Sequence, residues 1–267
     1  MEEGRLRAFA VTATELATSR NIVFFEGDEH CGGLLRSQNP FVRPQAVKIG
    51  PEHVLASAAI PLFFPPVKVE GRWFADGGLG QNTPLRPAIR LGADRILVIT
   101  LRAPMSVESG DERALRVGGR APSWAQMVGK TMNTVLLDKA VHDVKRIERM
   151  NRILEWGTAR WGDDFVESLG EVVEPERGAA YRPIRTTVIA PSIDLGALAQ
   201  EVALEGHFGD VDPITRRMLS GLARAVGASD NDALSYLLFT RVYIDRLIEL
   251  GRKDAEARRD ELVGFFS

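Results

Sequence analysis

Cysteine is almost missing from this chain: Cys31 is the only one in 267 residues. A lone thiol excludes an internal disulfide and any cysteine-rich metal site, and it fits a reducing compartment, so a cytoplasmic setting is the expectation. Net charge is nearly absent as well. Lys and Arg number 34 against 36 Asp and Glu, a formal charge of -2, which leaves no global field to recruit nucleic acid or an anionic membrane. No stretch approaches the roughly 18 uncharged apolar residues of a membrane span. Membrane contact, where it occurs, is then peripheral. The opening residues MEEGRLRAFAVTATEL mix charges before any apolar run, whereas a secretory leader needs a basic start and then roughly 7–15 apolar residues. Internal repeats are missing, and no firm domain boundary is visible.

What is present reads as alternating strands and helices. Leu6 to Thr12 and Asn21 to Phe25 are short runs rich in β-formers around the polar TELATSR, and they are expected to pair as strands. PEHVLASAAI (51–60) has helical character and stops before Pro61. The prolines of PLFFPP then forbid regular structure and leave a rigid apolar loop. Val67–Val69 and Arg72–Ala75 flank Glu70 and Gly71, the length and chemistry of a tight hairpin. Thr83 and Pro84 supply an N-cap followed by proline at the first helical position, and Gly92 closes that helix. DRILVIT (94–100) is a buried-strand run. Strand, glycine turn, helix and strand in that order predict a strand-helix-strand unit of one α/β sheet.

Residues 102–121 read as an exposed loop. From Ser123 to about Trp156 apolar residues recur at three- or four-residue steps, predicting one helix or two in sequence, with Lys145, Arg146, Arg149 and Arg152 on a solvated face. Residues 157–182 read as irregular. RTTVIAPSIDLG follows as a strand and a proline turn with Asp194 near a glycine. Two more helices are expected after it, the last from about Asp230 to Leu250, with Leu234, Leu238, Val242 and Leu247 on one side.

FADGGLGQNTPL, residues 74–85, brings Asp76 to the end of the second hairpin arm. One reading is a plain turn, since Asp and Gly dominate turns for conformational reasons. Another is phosphate binding, because GLGQNT resembles a glycine loop feeding a helix. Against it, Thr83 replaces the third glycine, and Asp94 precedes the next strand instead of ending it. A third is chemistry, since α/β enzymes place reactive groups beyond the carboxyl ends of strands.

PEHVLASAAIPLFFPPVKVEGRWFADGGLGQNTPLRPAIRLGAD, residues 51–94, closely resembles the part of patatin-like phospholipases that carries their Asp-Gly-Gly motif. LRAFAVTATEL resembles the strand upstream of it, and IAPSIDLG and RLIELGRKDA resemble later segments. The resemblance implies an α/β fold, a patatin-like sheet flanked by helices. It implies a lipid acyl hydrolase using a Ser-Asp dyad, with Asp76 as the aspartate and no cofactor. Residues 1–267 then form one partial patatin-like domain, with its Asp-Gly-Gly core at 51–94 and a mainly helical part at 122–267. The implied substrate is a lipid or acyl ester, met with peripheral membrane contact.

The nucleophile elbow G-x-S-x-G is not found. Small flanking residues permit its strained turn, yet Ser57 has Leu55 and Ala59 at those positions, Ser109 has Val107 and Asp111, and no other serine meets the pattern. The family's glycine-rich oxyanion loop is also missing. Both precede the segment resembling residues 6–16, so the chain is expected to lack the leading strands, to be inactive alone, and to pair with an N-terminal half or self-associate through an exposed sheet edge. The competing reading is a non-catalytic binding or regulatory fragment. Ser57 reads as a helix residue. His30, Cys31, His53, His142 and His207 lack metal spacing, and Phe63 and Phe64 read as core before a lipid-facing lip. IPLFFPP is close enough in sequence to Asp76 to help wall an acyl pocket.

Overall fold

The computed structural model describes residues 6–27, 31, 41–61, 63–80, 85–101, 103, 140–177, 181–206, 221, 232–235 and 238–267. The chain divides into two compact units, Met1–Val98 with Lys139–Thr187, and Ile99–Asp138 with Val188–Ser267.

In the first unit, β1 (Ala8–Glu15) and β2 (Arg20–Gly27) pair antiparallel as expected, with Glu15 opposite Arg20. Their turn closes through the Ser19 N–H, which donates to the Glu15 carbonyl at 2.8 Å. β3 (Val42–Ala46) runs parallel to β2. The sequence reading missed it, because Pro44 argues against a strand unless that strand lies on an edge. It does lie on an edge. β4 (Val67–Val69) and β5 (Arg72–Asp76) form the expected hairpin, and the left-handed Glu70 and Gly71 match a type I′ turn. The sheet order is β3-β2-β1-β5-β4.

Strand alternation sorts the side chains into two groups. Ala13, Ile22, Phe24, Val69 and Phe74 are buried together with Ala56 of α1 (Pro51–Ser57). Val23, Phe25 and Cys31 form a second cluster, against which Ala8, Ala10, Val42 and Leu91 pack. Leu91 follows α2 (Leu85–Arg90), which ends at Gly92 as expected, with φ +97°. The predicted cap at Thr83 and Pro84 lies outside the described residues.

The strand-helix-strand expectation is corrected. β6 (Arg95–Ile99) pairs with β7 (Arg185–Ile189) in a separate two-stranded sheet. β5 already has a neighbour on each side, so β6 has no edge there to join. Nor is β6 buried throughout: Ile96 and Val98 are buried while Ile99 is 71% exposed. The architecture is nonetheless mixed α/β, as the resemblance implies, with helices about a five-stranded sheet.

α3 (Ala140–Trp161) carries the predicted apolar rhythm, with Val144 and Leu154 buried and Lys145, Arg146, Arg149 and Arg152 exposed. The predicted helix at 123–139 and the loop at 102–121 lie outside the described residues, apart from 103. Within 157–182, residues 157–161 and 164–177 are helical instead of irregular. α3 continues through Trp161 and α4 (Asp164–Arg177) follows. The stretch holds four glycines and Pro175, all poor helix formers, but Gly157 has another purpose. A Cβ there would meet the Phe165 ring at 2.0 Å, so the missing side chain lets α4 pack on α3.

In the second unit, Asp194 caps α5 (Leu195–Leu204) by accepting the Ala197 N–H at 3.0 Å. The predicted last helix is broken instead into α6 (Asp232–Ser235) and α7 (Arg241–Ala257), followed by α8 (Arg259–Phe266). The Thr240 hydroxyl accepts the Tyr243 N–H and starts a new helix inside the predicted one. Leu234 and Leu238 are buried with Leu198, Val202 and Tyr243, and Val242 and Leu247 pack against them. The Tyr243 hydroxyl donates to the Leu195 carbonyl at 3.1 Å, and burial together with the Asp194 carboxylate pushes its pKa up to about 12. Among the described residues no helix is long and apolar enough to cross a membrane.

Phe24 is fully buried, with its ring edge-on to those of His53 (4.8 Å) and Phe74 (5.4 Å). Phe24→Ala is expected to cost about 3–5 kcal/mol. The readout is a lower urea midpoint at unchanged slope.

Candidate functional site

β5 ends on Asp76, and three hydrogen bonds fix that residue. Its N–H donates to the Ala59 carbonyl at 2.9 Å. Its own carbonyl accepts the Thr14 hydroxyl at 2.9 Å, and the same hydroxyl lies 3.1 Å from Oδ1 of the buried Asn21. Its side-chain Oδ1 accepts the Gly78 N–H at 2.6 Å, capping the 3₁₀ turn Gly77–Leu79. Oδ2 accepts no hydrogen bond among the described residues. The carboxyl group is half-buried, and burial raises its pKa above the ordinary 3.8 while the Gly78 N–H opposes the rise.

The glycines are there for space. A Cβ on Gly77 would lie 2.1 Å from the Thr12 carbonyl oxygen, so the backbone leaves β5 hard against β1. A Cβ on Gly80 would meet the Asn21 amide at 2.4 Å. Backbone cannot yield as a flexible side-chain end can. Gly77 is therefore the stricter requirement.

Residues 17–89 match the family model "Patatin-like phospholipase". The matched segment runs from the β1–β2 turn into α2 and takes in Asp76. The family of that name acts on lipid substrates.

The other residues singled out in the sequence scatter. Ser57 is the half-buried last residue of α1, and no hydrogen bond joins it to Asp76 among the described residues. The chain comes beside Asp76 two residues later, at Ala59. The apolar loop begins there too, with the Phe63 and Phe64 N–H groups donating to the Ile60 carbonyl at 3.2 and 2.9 Å. The core reading of the two phenylalanines is corrected: Phe63 is half-buried and Phe64 is 39% exposed. Three prolines prevent this loop from folding its rings back into a regular core element.

Cys31 is buried, in the position that a Cβ on Gly27 would contest at 2.4 Å. The His53 ring is buried, with Nδ1 accepting the Gly50 N–H at 3.0 Å. His30, His207 and the side chain of His142 lie outside the described residues. Among the described residues no three of His, Cys, Asp and Glu come together to hold a metal ion.

Thr14, Asn21 and Ala59 escaped the sequence reading, although all three position Asp76 or its turn. A signal existed for two of them. Thr14 and Asn21 are polar residues next to the apolar runs of their strands, and buried polar groups require partners.

Two outcomes follow. Gly77→Ala is expected to lower stability by about 1–3 kcal/mol through overpacking, measured by urea unfolding. Because folding raises the Asp76 pKa, the stability of its neutral form is complete below 3.8 and is lost as pH rises through the folded value. Asp76→Asn stays neutral, so its stability relative to wild type should rise with pH across that window. Parallel denaturation series from pH 3 upward, flat in their difference, would refute the burial effect.

Proposed function

We propose that this chain supplies Asp76 as the base of a Ser-Asp dyad that hydrolyses acyl esters of lipids, with the serine provided by a segment outside residues 1–267. The observation that carries this reading is the state of the carboxylate. One oxygen is anchored by the Gly78 N–H, while the other accepts no hydrogen bond among the described residues. That oxygen is the one available to a hydroxyl. On this reading residues 1–267 are one partial patatin-like domain with its core at 51–94.

The chemistry follows from what a serine lacks. Its hydroxyl is a weak nucleophile until a positioned base takes the proton as the oxygen attacks the acyl carbonyl. Asp76 Oδ2 accepts that proton, and the raised pKa brings the carboxylate closer to a useful basicity near neutral pH. The proton then passes to the departing alcohol, leaving an acyl-serine. Water, deprotonated by the same carboxylate, releases the fatty acid. Anchoring through Gly78 keeps the base still during both proton transfers. Ile60, Phe63 and Phe64 supply apolar surface beside the site for the acyl chain, with the exposed Phe64 facing outward toward a lipid surface.

The purified 267-residue chain is expected to show no turnover of short or long p-nitrophenyl esters. Joined to a segment carrying G-x-S-x-G, it should gain esterase activity, and Asp76→Asn should lower that activity by about 10²–10⁴-fold with the fold intact by circular dichroism. Activity within a few-fold of wild type would make Asp76 a turn residue and favour the non-catalytic binding fragment. Turnover by the isolated chain that vanishes in Ser57→Ala would relocate the nucleophile to α1.

A further inference from the structure

Residues 181–184 tie α2 to α3 within the first unit. On one side Arg182 donates to the Ile89 and Ala93 carbonyls at 2.8 and 3.0 Å, satisfying groups at the C-terminal end of α2. On the other, the Asn151 side chain of α3 donates to the carbonyl of the buried Ile184 at 2.8 Å and accepts its N–H at 3.1 Å. Between the two helices a cavity of about 360 Å³ is left, lined by both of them and by Tyr181. Residues three or four apart share a helix face, and each helix lines the cavity at two levels. On α2, Leu85 and Ile89 are buried, with the exposed Arg86 and the half-buried Arg90 beside them. On α3, Ile147 and Met150 are half-buried, with Asp143 and Arg146 beside them. The floor is thus apolar and the rim is charged.

We infer that this cavity is a binding site for a small amphipathic oxyanion, a carboxylate or phosphate carried on a short aliphatic chain. The rim calls for the anion. Asp143 is the one acid on the lining, and it lies 3.9 Å from Arg146 with the two side chains 40% and 67% exposed, an ion pair that solvent leaves weak. Arg86 enters no ion pair among the described residues. A guanidinium presents a planar fork of N–H donors that matches the paired oxygens of a carboxylate or phosphate. The floor calls for the chain. A bare anion would leave Leu85, Ile89, Ile147 and Met150 unfilled, and a bare hydrocarbon would leave the arginines without a counter-charge. The volume falls within the roughly 300–1,000 Å³ of ligand pockets. The lining shares no residue with the Asp76 turn or with the Ile60–Phe64 loop, so this is a second site and not part of the first.

Calorimetric titration of the full chain with decanoate and with decyl phosphate, both below their micelle concentrations, tests the site. Decanol keeps only the chain and inorganic phosphate only the head, and each should bind at least about tenfold more weakly than the intact amphiphiles. Methyl resonances of Ile89, Ile147 and Met150 should shift on binding, and that of Ile22 should not. Arg86→Glu and Arg146→Glu should each weaken binding by about tenfold or more at an unchanged urea midpoint, because both side chains are exposed. Arg152→Glu makes the same change of charge on α3 outside the cavity and should leave binding unchanged. Decanoate as the tighter ligand assigns the site to a fatty acid, and decyl phosphate as the tighter assigns it to a phosphate headgroup; either result upholds the site. No binding at millimolar ligand overturns it. So do equal binding of decanol or inorganic phosphate, equal loss in Arg152→Glu, binding that survives both reversals in the cavity, or methyl shifts confined to other residues. An inactive dyad would leave all these readouts unchanged.

Discussion

The close passage of Gly77 over the Thr12 carbonyl is the constraint from which the rest of the site follows. With no Cβ in the way, β5 can pair with β1 up to its last residue and then turn at once. The turn brings the Gly78 N–H onto the Asp76 carboxylate and ends the strand row. A larger residue at 77 would push the two strands apart, and the Thr14 hydroxyl would lose its hold on the Asp76 carbonyl. A carboxylate with one oxygen anchored at the strand end is thus the result of one steric fact.

Around that junction the sheet is held by side chains of different kinds. Apolar packing under α1 supplies the bulk, centred on Phe24 and Phe74. Near the far end of the β1–β5 pairing, Arg72 donates to Glu15 at 3.1 Å and to Gln45 at 2.8 Å, and Gln45 donates to Glu70 at 2.8 Å. The Thr18 hydroxyl, and then Arg72, hold the Glu15 carboxyl below its ordinary range against the opposing effect of burial. This links β1, β3 and the β4–β5 turn through polar contacts, so register at that end does not rest on hydrophobic pattern alone.

Two carboxylates of this sheet, Glu15 and Asp76, show how environment shifts a carboxyl group in opposite directions. Glu15 has cationic and hydroxyl donors and stays ionised more readily than a free carboxyl. Asp76 has burial and a single backbone N–H, and is shifted the opposite way. A structural carboxylate gains from saturation with donors. Asp76 keeps one oxygen that accepts no hydrogen bond among the described residues, and burial shifts its pKa upward.

Local chemistry was legible in the sequence wherever a few neighbouring residues decide conformation. The β-former runs LRAFAVT and NIVFF, the Glu70-Gly71 turn, the stop at Gly92 and the position of Asp76 at a strand end were all readable from residues a few places apart. The same locality misled at Gly157, a residue of poor helix propensity that is tolerated because Phe165 packs onto it. It misled again at Thr240, whose hydroxyl divides an otherwise continuous apolar pattern. What only the tertiary structure decided were the partners: β6 beside β7 and not β5, Pro44 on an edge, and the Ala59 carbonyl on Asp76. Periodicity specifies which face of an element is buried. It carries no information on which distant strand buries it, because pairing depends on backbone groups that every residue shares.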